Sequence, residues 1–494
     1  MISYNTRPLV LVYIILAIWV LFAGLAELFV GGGRWGLLSI GSACLLASLL
    51  PVVVRKRVTV FEPIVLVAFS VFMGCALRAV LVATGDQSSE DIVFLTNGVS
   101  LGEIATYSIF AAFGLLVFSL GYLSVGTARF ALERASVFNR RNWNQRWLLG
   151  ICFATLGIGL AGLVELIRAT NVDLGNLAAL SVKRGIEVEG GGEQDFARLG
   201  YLAWAVELVK VAFIVLLVER TDRARSGSIS NGTTAFSLRL FLLLLFLISI
   251  IWPFMSSSRT GILEVLFACV IVFYYLGFKG GTIVRKHKFF VLGSTFFIVG
   301  IIVLVAIGIW RQYSHDPATA DKSFADALLG NTVGAGNFVP LIRTGIIAEH
   351  AFSSETKLLL GESYASVFYA PVPRSVWPEK PMIGLGYYVK EEVFDRRAIR
   401  GGYPPGFIGE ALINFGLVGL VIIPFLGGAG LRVLFNSFEP LLAARNKAGV
   451  AVYSLLLWPL GFQFADLDFS LTVINSMVLL IPAITFIRLV ARRN

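Results

Sequence analysis

The sequence predicts an all-α polytopic membrane protein of about twelve transmembrane helices, with both termini in the cytoplasm. Three observations carry that expectation. Hydrophobic residues fill 57% of the 494 positions and charged residues only 15%, against about 25% in a typical soluble domain. The mean hydropathy is +0.81, more apolar side chain than a soluble core can hide. The connecting segments also alternate between basic and acidic, as expected of a chain that crosses a bilayer repeatedly.

A span needs roughly 20 mostly apolar residues. Twelve segments approach that length: 9–30, 35–54, 60–84, 104–125, 147–167, 199–218, 238–254, 260–278, 289–310, 406–430, 450–465 and 470–490. The first has no small-residue cleavage site after it, so it is expected to stay as a span. The last three contain Pro424, Pro459 and Pro482, whose lost backbone bonds neighbouring helices must satisfy. Basic connections lie at Arg55-Lys56-Arg57, Arg129 to Arg146, Arg220 to Arg225, Lys279 to Lys288, Arg445 to Lys447, and the Arg492-Arg493 tail. The others are acidic or short: Asp86 to Asp91, Glu187 to Asp195, and Asp466 to Asp468. The positive-inside rule puts the first set in the cytoplasm. The net charge of +10 is then a topology signal, and it points away from a nucleic-acid partner. Cys44, Cys75, Cys152 and Cys269 all fall inside apolar runs, so neither disulfides nor a cysteine metal site is expected.

The chain divides into 1–310, the first nine spans with short loops; 311–405, one large external segment; and 406–494, the last three spans. A loop of about ninety residues is functional or disordered. This one is too apolar for disorder, with Phe338, Leu341, Ile342, Ile346, Phe368, Tyr369 and Trp377. Phe338, Leu341, Ile342 and Ile346 have helical spacing with Arg343 on another face, which predicts amphipathic helices on the outer membrane surface. A re-entrant stretch at 358–370 is expected to accompany them. Residues 1–250 and 251–494 show no repeat of one another.

An ionisable residue within a span needs a reason to be there. Glu207 and Lys210, three apart on one helical face, can neutralise each other. Arg78 lies six residues before the end of its span, about 9 Å below the outer surface. It either snorkels or faces a cavity and meets an anion. Arg259, in Ser256-Ser257-Ser258-Arg259-Thr260-Gly261, opens the eighth span, where free amides, hydroxyls and a guanidinium suit phosphate. The structural alternative is a serine-capped helix with Arg259 paired to Glu264. Arg311 closes the ninth span, either as an interfacial anchor beside Trp310 or as a site cation.

The densest polar region is 361–414. Prolines 371, 373, 378 and 381 stiffen the backbone around Arg374 and Lys380. Pro404 and Pro405 preset the start of the tenth span, leaving Glu410 near its first turn, where a helix dipole favours a carboxylate. Glu410 is either a structural first-turn acid or a proton acceptor. An external histidine such as His350 could also take a proton near neutral pH, though it also reads as a surface side chain.

These motifs resemble a family. Ser-Arg-Thr-Gly at 258–261, Pro-Arg-Ser-Val-Trp-Pro-Glu-Lys-Pro at 373–381, and Pro-Pro-Gly-Phe-Ile-Gly-Glu…Asn-Phe-Gly at 404–416 are similar to those of bacterial O-antigen and oligosaccharide repeat-unit polymerases of the Wzy type. The motifs cover well under a tenth of the chain. The plan of many spans with one large external loop also agrees. The resemblance implies a fold like that of O-antigen ligases and C-type glycosyltransferases, in the bacterial inner membrane, with the active site facing the periplasm. It implies transfer of a growing glycan from undecaprenyl diphosphate onto a new lipid-linked repeat unit. No metal or other cofactor is implied, and a chain-length regulator is an expected partner. For that reaction Arg259, Arg311, Arg374 and Lys380, with Arg78 behind them, would hold the diphosphate. Glu410, then His350, would take the acceptor's proton. The competing readings are an O-antigen ligase and a lipid-linked glycan flippase or transporter.

Overall fold

The computed structural model describes residues 7–55, 58–84, 100–139, 142–169, 193–227, 233–255, 259–277, 302, 306, 340–352, 357–372, 376–377, 379–381, 383–395 and 402–491. Among these there is no β-strand; one isolated bridge joins Trp143 to Ala491. The helices are α1 (Arg7–Val30), α2 (Arg34–Val54), α3 (Pro63–Val71), α4 (Arg78–Ala83), α5 (Leu101–Ser124), α6 (Gln145–Ala169), α7 (Glu193–Ser226) and α8 (Thr233–Met255). They continue with α9 (Arg259–Leu276), α10 (Leu341–Phe352), α11 (Glu362–Tyr369), α12 (Gly406–Ala443), α13 (Lys447–Trp458) and α14 (Phe469–Val490).

Eight helical segments among the described residues are long and apolar enough to cross a membrane. Two shorter apolar helices, Ser237–Ile251 and Thr260–Leu276, lie within α8 and α9. Of the twelve expected spans, 289–310 falls outside the described residues except at Ile302 and Ala306. On α1, Leu11, Ile18, Leu21, Leu25 and Leu28 are all exposed. In water that face would be untenable; in a bilayer it meets lipid tails at no cost.

Close helix approach comes from small residues, which let backbones meet where lipid offers no hydrophobic drive to association. A Cβ at Gly121 of α5 would overlap the Phe425 backbone of α12, and one at Gly428 would overlap the Phe118 carbonyl. One apolar cluster joins α2, α3, α5, α10 and the first part of α12; a second joins α7, α9, α13 and α14. Two of the spans contain wide π-helical turns, at Phe72–Leu77 just before Arg78 and at Pro459–Gln463. Pro459 has no N–H and crowds the preceding carbonyl, which accounts for the second.

Three expectations change. First, α10 does not lie on the surface. All of residues 341–348 are buried, Arg343 among them, because Gly345 lets the helix settle onto Ile104 and Ser108 of α5. Phe338 lies outside the described residues. Second, the tenth span does not end at 430: α12 runs to Ala443. At 1.5 Å per residue its 38 residues would run about 57 Å if straight, well past a roughly 30 Å apolar layer. The helix is broken at Gly416, with φ 58° and ψ −138°. Third, Glu264 pairs with Lys210 (2.7 Å), which also pairs with Glu207. The Glu207–Lys210 contact was expected and the addition of Glu264 to it was not; the side chain of Arg259, the other partner considered for Glu264, lies outside the description.

Candidate functional site

The break in α12 organises the site. At Gly416 the backbone leaves helical geometry, just past the carbonyls of Ile413 and Asn414. The residues before α11 bond to those carbonyls: Leu359 N donates to Ile413 O (3.2 Å) and Leu360 N to Asn414 O (3.0 Å). Irregular backbone at membrane depth persists only where protein or a cavity satisfies it. The same stretch leads through Gly361 (φ 98°) into α11, so the break also sets where α11 starts.

Glu410 and Asn414, one turn apart on the short first half of α12, are fully buried. Ser363 Oγ of α11 donates to Glu410 Oε1 (2.6 Å), and the Phe469 amide that opens α14 donates to Oε2 (2.6 Å). Asn414 Nδ2 donates to Ser363 Oγ (2.8 Å), and its Oδ1 accepts from Gly361 N (3.0 Å). Ser470 Oγ closes the ring on Ser363 O (2.6 Å). One carboxylate thus ties together α11, α12 and α14. Both its oxygens accept, and each keeps a second lone-pair direction.

A second carboxylate adjoins it. Asp468, the N-cap of α14, accepts from Leu471 N at Oδ1 (2.9 Å) and from Leu385 N at Oδ2 (3.1 Å). Burial pushes its carboxyl above the usual range, and the amides from Leu471 and Leu385 oppose that shift. Tyr364 follows Ser363. Its ring lies parallel to Phe415, with centroids 6.1 Å apart, and 5.6 Å from Phe469. Burial, with Glu410 and Asp468 adding to it, pushes the phenol well above its ordinary value.

The expected cations are distributed differently. Arg311 and Arg374 lie outside the described residues, and Arg259 is described only as the first residue of α9. Arg78 is buried at the junction of the π turn and α4. Lys380 is buried and gives hydrogen bonds to the carbonyls of Ala370 (3.1 Å) and Val372 (2.8 Å), just past α11. His350 stands near the end of α10, half-buried; burial lowers its pKa while Glu349 and Glu392 oppose the change. It makes no hydrogen bond to Glu410, whose side-chain partners are Ser363 and Phe469.

Sequence reasoning missed Asp468, Ser363, Tyr364 and Arg343 as site residues. Arg343 is buried, donates from Nη1 to Pro404 O (2.7 Å) and sits over the Tyr403 ring (5.8 Å). Among the described residues it has no carboxylate within ion-pair distance, a costly state for a guanidinium. The signal for Asp468 was present: an aspartate one residue before an apolar run is an N-cap pattern. Conversely Glu27, near the end of α1, accepts from Gly33 N (2.7 Å) and Gly36 N (2.8 Å) and serves the start of α2.

The arrangement can hold a carboxylate rigidly, accept a proton at it, and present a phenol and a second carboxylate beside it. The chain matches no family model, no curated protein and no solved structure.

Proposed function

We propose that the chain polymerises glycan repeat units carried on undecaprenyl diphosphate, at the outward face of the bacterial inner membrane. In this reaction a hydroxyl oxygen of the acceptor unit attacks the anomeric carbon of the donor. The new C–O bond forms as the bond to diphosphate breaks. The diphosphate leaves with the electron pair, and the hydroxyl proton passes to Glu410.

The observation that carries this reading is the buried Glu410–Asp468 pair, with the sealed hydroxyl of Tyr364 on the neighbouring helix, at a break in a membrane helix. A carboxylate locked by Ser363 and an amide is a preorganised proton acceptor. On the positive-inside reading of the sequence, this end of α12 would face outward, beside the long external segment. The departing diphosphate needs preorganised cations. In this reading Arg259, Arg311, Arg374 and Lys380, with Arg78 behind them, fill that role, and the buried guanidinium of Arg343 joins them.

The experiment is a deletion strain paired with reconstitution. Loss of a polymerase leaves lipid A–core capped with a single repeat unit. In proteoliposomes the purified protein should convert lipid-linked repeat units to a ladder, and Glu410→Gln should abolish the ladder while the protein stays folded. A ladder from Glu410→Gln would remove it as the base.

One rival has an observation of its own. A discontinuous membrane helix, with a charged Lys210–Glu207–Glu264 group elsewhere in the bundle, is also how transporters are built. A flippase deletion would leave no surface glycan at all, and a ligase deletion would accumulate lipid-linked polymer, so the same strain separates the three.

A further inference from the structure

The hydroxyl of Tyr364 is sealed from solvent and has no hydrogen-bond partner among the described residues. A buried hydroxyl in that state has given up its hydration for nothing. Phenylalanine would fill the same space without the penalty, so packing does not account for tyrosine at this position. The ring itself is well placed between Phe415 and Phe469. Phe469 is 40% exposed, so the aromatic group reaches the surface in front of the sealed hydroxyl and the two buried carboxylates.

The chemistry around the hydroxyl selects what could complete it. The phenol donates. Glu410 and Asp468 accept; Glu410 is bonded to Ser363, the residue before Tyr364, and to the amide of Phe469, whose ring meets that of Tyr364 and which follows Asp468. A group between them must accept one hydrogen bond and give another. A phosphate or carboxylate accepts but does not donate, and both carboxylates repel it. An ammonium donates but does not accept. A neutral alcohol does both. A pyranose carries such alcohols and also apolar C–H faces that cover aromatic rings.

We propose that Tyr364 marks a subsite for a sugar hydroxyl, held between its phenol and the Glu410–Asp468 carboxylates, with the sugar's apolar face on the neighbouring rings. The inference rests on the glycosyl-transfer reading and refines it: the bound hydroxyl is the acceptor's. Tyr364 is then a positioning residue. It accepts no proton; its hydrogen bond aims the acceptor oxygen while Glu410 takes the proton.

Tyr364→Phe deletes one oxygen and keeps the rings. In nanodiscs its unfolding midpoint should equal or exceed that of the wild type. A clear drop would mean the hydroxyl already has a partner in the resting protein, and would overturn the proposal. With the undecaprenyl-diphosphate-linked repeat unit as substrate, kcat/KM should fall about tenfold or more, as for loss of one ligand hydrogen bond. The fall should lie mainly in KM, with the pH profile unchanged because no titrating group is removed. Wild-type kinetics in the variant would sink the subsite and leave the polymerase reading standing. If the wild type itself makes no polymer, the polymerase reading falls, and binding decides the subsite. Thermal stabilisation by the lipid-linked repeat unit, present in wild type and lost in Tyr364→Phe, supports it; equal stabilisation of both refutes it.

Discussion

Replacing Gly416 with alanine tests whether the break in α12 is a conformational demand of the fold. The residue sits at φ 58° and ψ −138°, close to a region that only glycine enters freely, where a side chain costs of order 1–3 kcal/mol. Sterics add nothing: the nearest atom to a Cβ there is Leu358 Cδ1 at 3.8 Å, an ordinary contact. The expected loss is therefore about 1–3 kcal/mol, or roughly 5–150-fold in the folding equilibrium. Two other glycines of the same helix calibrate it. Gly430 meets open space, so Gly430→Ala should stabilise by about 0.5–1 kcal/mol, the ordinary helix preference. A Cβ at Gly419 would overlap the Ala411 carbonyl and lie 2.9 Å from Phe415 Cβ, so Gly419→Ala should cost through crowding. Alanine at 416 can escape its strain only by straightening the helix. The carbonyls of Ile413 and Asn414 would then recapture helical N–H groups and release Leu359 and Leu360. Unfolding in nanodiscs reads the first effect, and hydrogen exchange at the amides of 359 and 360 reads the second. If Gly416→Ala matches Gly430→Ala in stability and those amides stay protected, the break is not what glycine is there for.

Three further outcomes follow from other sites. Glu62 is buried and accepts from Arg432 Nη1 (2.8 Å) and Tyr122 OH (2.6 Å), with Arg55 also paired to it. Arg432→Ala should cost about 3 kcal/mol by stranding part of that charge and Tyr122→Phe about 1 kcal/mol; equal unfolding losses for the two would be wrong. Lys210→Met should destabilise severely, leaving Glu207 and Glu264 without their shared cation; a second change, Glu264→Leu, should recover much of the loss, and no recovery would show the triad is not coupled. The folded pKa of His350 lies below its ordinary 6.5, so the unfolded chain binds the extra proton between the two values. Stability from this group is present above pH 6.5 and is lost as pH falls through the folded pKa. An NMR titration of His350 should have its midpoint below 6.5, and a higher midpoint would contradict the burial.

The sequence was legible wherever one physical signal dominated. Lipid-facing runs are long and apolar regardless of tertiary detail, so the helices found in eleven of the twelve expected places agree with hydropathy. Glu207 and Lys210 were legible because their spacing is local. Glu410 and Asn414 stood out as polar residues at the head of an apolar run. What could not be read was long-range partnership. Nothing local says that Glu410 meets Ser363, 47 positions away, or the Phe469 amide, 59 positions away. Arg343 was misplaced for a related reason. Its helix has an amphipathic pattern, but tertiary packing buried the polar face too, against the Pro404 carbonyl and the Tyr403 ring. The break at Gly416 was hidden because glycine inside an apolar run is common in membrane helices, and only the backbone angles distinguish a kink from a close contact.

The site's helix ends also bear on where a charged donor can lie. The N-termini of α11 and α14 both open beside Glu410, and a helix N-terminus ordinarily welcomes phosphate. Here α14 is already occupied by the chain's own acids: Phe469 N donates to Glu410 and Leu471 N to Asp468. With those amides bonded and two carboxylates adjacent, a diphosphate gains little at this end and is repelled. Arg343 and Lys380 lie instead on α10 and just past the far end of α11. On the glycosyl-transfer reading, the neutral acceptor hydroxyl then belongs at the Glu410–Asp468 end and the diphosphate on the cation side, with the anomeric carbon between. That division makes a charge-neutralisation test possible. Asp468→Asn keeps an N-cap acceptor for Leu471 N but removes the charge and one acceptor oxygen, and should weaken acceptor binding without disturbing donor binding, whereas Arg343→Gln should weaken donor binding and spare the acceptor. If both variants impair the same substrate equally, acceptor and diphosphate are not held apart in this way.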